Sequence, residues 1–94
     1  MARFTVRVEL RDAAADDYED LHAAMEEAGF ERRIRGQGGV LYDLPPAEYR
    51  YEGGVDMLHV GRLAKAAAAL VKRRYAVLVT EGPAHWFGLL KSAQ

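Results

Sequence analysis

Ninety-four residues, with 13 Lys and Arg against 14 Asp and Glu and a net charge of −1, set the first limits. A chain of this length is expected to form one domain, residues 1–94, around a single core, and half of its residues are apolar, enough to fill one. The lack of cysteine excludes a disulfide scaffold, a thiol nucleophile and a thiolate metal site, and the near-neutral charge leaves any nucleic-acid affinity to a local patch.

The opening Met1-Ala-Arg-Phe-Thr-Val-Arg-Val alternates charged and apolar residues, unlike the core of a signal peptide, and the longest apolar stretch, Ala66 to Val71, is far too short to span a membrane. The expectation is a cytoplasmic domain with no membrane partner.

From Arg3 to Leu10 the alternation is strict. Phe4, Val6, Val8 and Leu10 fall on one side and Arg3, Thr5, Arg7 and Glu9 on the other, which predicts a half-buried strand. Ala14 to Ala28 carries Tyr18, Leu21, Met25 and Ala28 at helical spacing. Asp12 or Asp16 is the expected N-cap, Asp16 with Glu19 has capping-box spacing, and Gly29 is the expected stop. Phe30 to Arg35 reads as a polar edge strand, and Gly36-Gln37-Gly38-Gly39 as a turn. A return strand over Val40 to Glu52 is interrupted at Pro45-Pro46, where a bend or bulge is expected. Asp56 to Arg74 predicts a second helix capped by Asp56, with Lys72, Arg73 and Arg74 in its last turn facing the negative end of the dipole. Tyr75 to Thr80 is a further apolar strand, and the sequence leaves room for a short fifth strand over His85 to Leu90. The order predicts an α+β fold, a ferredoxin-like β-α-β-β-α-β sandwich with an antiparallel sheet and two helices on one face.

Signatures of known chemistry are sparse. The chain has no G-x-S-x-G, P-loop or G-x-G-x-x-G pattern, and the glycines at 36–39 precede no helix that could hold a phosphate. His22, His59 and His85 lack ligand spacing, and Asp16, Asp17, Glu19 and Asp20 splay around one helical turn, so no metal site and no small-molecule cofactor is expected. The arginines are more informative. Arg7, Arg11, Arg33 and Arg35, with Arg3, are placed by the alternation near one polar sheet face. There they either bind phosphate or pair with Glu9, Glu31, Glu48 and Glu52. Tyr49 and Tyr51 share a strand face that serves either core packing or, with Trp86, a contact between copies.

Four segments resemble a known family. Tyr42-Asp43-Leu44-Pro45-Pro46-Ala47-Glu48-Tyr49, the Tyr18-x-x-Leu21-His22 opening of the first helix, the Gly29-Phe30 step and Tyr75-Ala-Val-Leu-Val-Thr-Glu-Gly82 resemble small bacterial proteins of the GhoS-type antitoxin family. The resemblance implies a ferredoxin-like fold similar to the small CRISPR-associated nucleases, and an RNA-directed function such as endoribonuclease cleavage within a toxin–antitoxin pair. The CRISPR-associated proteins bind metal through an aspartate at the end of the first strand. This chain has Leu10-Arg11 there, between Glu9 and Asp12, which turns the expectation toward metal-independent chemistry. Glu9 and His59 are then the candidate bases, and no catalytic residue is assigned. Two readings stay open: a GhoS-like RNA-binding protein, with endoribonuclease activity as its finer form, and a non-catalytic homodimeric interaction module.

Overall fold

The computed structural model describes residues 2–93. The chain runs β1 (Ala2–Leu10), α1 (Ala15–Glu27), β2 (Arg33–Arg35), β3 (Leu41–Asp43), β4 (Glu48–Gly53), α2 (Met57–Ala69) and β5 (Tyr75–Glu81), with a short 3-10 turn at Gln37–Gly39. It is an α+β ferredoxin-like sandwich. β1 lies at the centre of an antiparallel sheet ordered β4-β1-β5. Both crossovers place their helices on the same side of that sheet.

The alternation in β1 decides the layers. Phe4, Val6 and Val8 are wholly buried and Leu10 nearly so. They meet Leu21 and Met25 of α1 and Val60, Ala64, Ala67 and Ala68 of α2. The small alanines let α2 come close to the strands. Tyr49 stands opposite Val6 and Tyr51 opposite Phe4, so both tyrosines join this covered side. Among the described residues no helix is long and apolar enough to cross a membrane.

Several boundaries differ from the sequence expectation. The residue at the N-cap of α1 is Ala14, not Asp12 or Asp16. The carboxylate of Asp17, three residues on, accepts the Ala14 backbone N–H at 2.9 Å. That hydrogen bond is the main cause of the lowered Asp17 pKa, and Lys72, 3.3 Å away, adds to it. Asp12 instead occupies the turn after β1 with φ +54°. Gly29 does end α1, at φ +100°, a conformation that side chains beyond Gly seldom tolerate.

Helix α2 stops at Ala69, five residues before Arg74. The Arg11 N–H donates to the Arg74 carbonyl at 3.1 Å, so pairing with the end of β1 draws this segment out of the helix. Lys72 and Arg74 therefore do not serve the dipole; they meet Asp17 and Asp12 at 3.3 and 3.7 Å.

The largest departure lies between residues 30 and 53. Glu31 bridges Arg50 through two backbone hydrogen bonds of 2.8 Å, which sets residue 31 on the free side of β4. The chain then leaves β4, and β2 pairs with β3 as a separate hairpin. Pro45-Pro46 thus marks a change of partner: β3 serves the hairpin, while β4 serves β1. Pro46 and Ala47 form the middle of the connecting turn. The Glu48 N–H donates to the Pro45 carbonyl at 3.1 Å, and Ala47 is held at φ +73°, the third position of a type II turn. No strand forms over His85–Leu90. The C-terminal segment pairs one step later, by a bridge from Lys91 to Tyr42 and hydrogen bonds from Asp43 N–H to Leu90 and from Ser92 N–H to Leu41.

Candidate functional site: an arginine-lined groove

The sheet face away from the helices carries the other half of the alternation. Arg3 stands opposite Glu52, Thr5 opposite Arg50, and Arg7 opposite Glu48. At the end of the face near Arg3, the β2–β3 hairpin and the segment after β5 border the sheet. They enclose a groove of about 460 Å³, lined by Arg3, Arg33, Arg35, Arg50, Glu52 and Trp86 among others. Glu31 is the second carboxylate on its wall, so four guanidiniums face two carboxylates.

Arg50 is the residue around which the groove is built. It is only 7% exposed, and its Nη1 donates to Thr5 Oγ1. Burial lowers its pKa, the neighbouring charge of Arg3 lowers it further, and Glu52 works the other way. No carboxylate lies within 4.0 Å of Arg50, Arg3, Arg33 or Arg35 among the described residues. A guanidinium taken from water without an anionic partner is destabilising, and an anion entering the groove would relieve that cost. Arg33 and Arg35 flank buried Ile34 on β2, and Arg35 Nη1 donates to the Gly39 carbonyl at 2.9 Å.

Of the four arginines predicted to act together, the structure gathers two. Arg33 and Arg35 line the groove; Arg7 and Arg11 do not. Arg7 meets Glu48 at 3.9 Å and Arg11 meets Glu9 at 4.0 Å, both at exposed positions. The rise of a strand separates Arg3 from Arg7 by roughly 13 Å, so one face does not make one patch. Arg50 was missed. Its signal was present, because Tyr49 and Tyr51 inward require Arg50 outward.

The aromatic trio is also divided. Tyr49 is a core residue with no exposed surface, so it offers nothing to a second copy. Its hydroxyl is 2.7 Å from Nδ1 of His22 on α1. The ring of Tyr51 packs on Phe30 and Phe4, with centroids 5.1 and 6.3 Å apart, on the helix side. Only Trp86 stays with the open face. It packs against Tyr42 with centroids 5.9 Å apart. Gly36 makes room for both rings: a Cβ there would stand 2.9 Å from Tyr42 Cε2 and 3.2 Å from Trp86 Cζ2.

Glu9 and His59 do not line this groove. The His59 backbone N–H instead donates to Asp56 at the start of α2. Among the described residues no three His, Asp or Glu side chains form a potential metal-ligand set. Comparisons with protein-family models, curated proteins and solved structures gave no match.

Proposed function

We propose that this protein binds RNA through the arginine-lined groove. The observation that carries the reading is the convergence on one cavity of four guanidiniums against two carboxylates, with no ion pair within 4.0 Å to any of the four among the described residues, in a chain whose net charge is −1. Arginine forks match phosphate geometry. The resemblance to GhoS-type antitoxins supports RNA as the polyanion, and its finer form adds metal-independent cleavage within a toxin–antitoxin pair. Such cleavage needs a base for the 2′-hydroxyl and cations for the phosphorane. The groove arginines suit the second role, whereas Glu9 and His59 stand outside it, so binding is the activity that this geometry supports best.

Retention of end-labelled single-stranded RNA across a salt series tests the reading. The wild type should lose affinity linearly in log salt, and Arg33→Ala with Arg35→Ala should reduce the slope by about 1.4, roughly 0.7 for each lost phosphate contact. An unchanged slope rejects the groove. Running the same samples with EDTA and then with magnesium reports any cleavage alongside.

A homodimeric module is the second reading, and a different observation favours it. β5 is a free sheet edge with no charged residue before Glu81 and with Leu78 largely exposed, lacking the charges that usually guard an edge. A monomer mass independent of concentration would reject it.

A further inference from the structure

We propose that the open face holds a complete nucleotide subsite, with the phosphate in the arginine groove and the nucleobase of the same RNA residue in a second cavity beside it. This inference rests on the RNA-binding reading and deepens it.

The second cavity has the same volume, about 460 Å³. The two share a wall made by Ile34, Arg50, Ala84 and Trp86. Their chemistry differs sharply. Beyond the shared wall, the second cavity is lined by Leu44, Pro45, Phe87 and Leu89, with Thr5, Thr80 and His85 as uncharged polar groups. Arg50 is its one guanidinium, and Glu48 offsets that charge. A phosphate is favoured next door, where four guanidiniums outnumber two carboxylates. A nucleobase has the opposite preference, since its faces are apolar and its edge hydrogen-bonds. The Glu48 carboxylate, which accepts and does not donate, can take an N–H from that edge and repels a second phosphate.

Trp86 stands at the junction of the two cavities, and Tyr42 and Gly36 fix its position. An aromatic ring held at that point suits stacking against a base whose phosphate lies on the far side of the shared wall. A base in a duplex is paired and stacked already, so the subsite selects single-stranded RNA.

The chain has one tryptophan, so selective excitation reports on this junction in the intact protein. Affinities are measured for ribose 5-phosphate and for the four ribonucleoside 5′-monophosphates. At least one nucleotide should bind roughly tenfold more tightly than ribose 5-phosphate and quench Trp86. His85→Ala with Phe87→Ala should bring nucleotides to the ribose 5-phosphate level and leave ribose 5-phosphate binding unchanged. Both side chains are exposed, so the fold should survive, which a melting curve verifies. Arg3→Ala with Arg33→Ala should weaken both ligand types together. Equal affinity for nucleotides and ribose 5-phosphate overturns the base subsite and leaves the arginine groove standing. Binding of neither also overturns the subsite, and the salt slope for RNA then decides separately whether the groove falls with it.

Discussion

The two faces of the central sheet come from alternate residues of the same strands, and they obey opposite rules. On the helix side Phe4, Val6 and Val8 are sealed under α1 and α2. On the other side Arg3, Thr5 and Arg7 alternate with them. That second face is itself uneven. Around Arg7 and Arg11 it is open to water, and each guanidinium has a carboxylate at the edge of ion-pair range. Around Arg3 and Arg50 it is bordered by the β2–β3 hairpin and the C-terminal segment, and among the described residues the guanidiniums have no carboxylate within 4.0 Å. Pairing in water contributes little, generally under about 1 kcal/mol. Unpaired charge beside low-dielectric walls makes a stronger field. The electrostatic difference between these two ends therefore arises from what borders them.

The covered face should be the least forgiving. Phe4→Ala removes a fully buried ring and should cost about 3–5 kcal/mol, a large part of the stability usual for a single domain. Chemical denaturation gives the value. A loss under 1 kcal/mol would mean that the layer collapses around the gap and is not the tight core described here.

Gly36→Ala strikes the border of the groove. The added methyl meets the Tyr42 and Trp86 rings and should cost about 1–3 kcal/mol through overpacking, with a change in tryptophan emission. An unchanged spectrum would show that Trp86 is not held by the hairpin.

A contrast between arginine pairs tests the unevenness of the open face itself. Arg3→Ala with Arg33→Ala should lower the salt slope of RNA binding by about 1.4, whereas Arg7→Ala with Arg11→Ala should leave it unchanged. Neither pair should move stability by more than about 0.5 kcal/mol. Equal effects from both pairs would make the whole face one diffuse patch.

Local patterns carried the layers but not the site. Period-two alternation was enough to place Phe4, Val6 and Val8 inside, because burial of one face leaves strand register no freedom. It could not show that Pro45-Pro46 changes the partner of the chain, since that depends on which strands compete for β1. The same blindness grouped Arg7 with Arg33, because residues on one face can lie far apart along it. The alanines and basic residues of α2 favour a longer helix than the one that forms, and only the tie from Arg11 to Arg74 reveals the stop. The role of Trp86 depends on a C-terminal segment with little regular structure, and such segments carry no periodicity to read.

The smallest effect concerns the covered face and a group that alternation alone would not flag. His22 lies half-buried over Tyr49, whose pKa burial pushes up to about 12, and the Tyr49 hydroxyl shares a 2.7 Å hydrogen bond with Nδ1 of the imidazole. Burial first, and then Arg32, lowers the His22 pKa from 6.5, while Glu26 and Glu19 oppose the shift. The unfolded chain, with the ordinary value, takes up a proton before the native one does. Stability is therefore complete above the ordinary histidine pKa and declines as pH falls below it toward the lowered native value. His22→Gln keeps an acceptor for Tyr49 and removes the titration. Denaturation midpoints measured from about pH 7 to about pH 5 should fall for the wild type and stay level for the variant. If the two chains decline together, the sensitivity belongs to carboxylates. Asp17 is one such group: its pKa is also lowered, so it too destabilises on acidification, but at more acidic pH. The hydrogen bond beneath α1 would then be a packing contact without a titrating role.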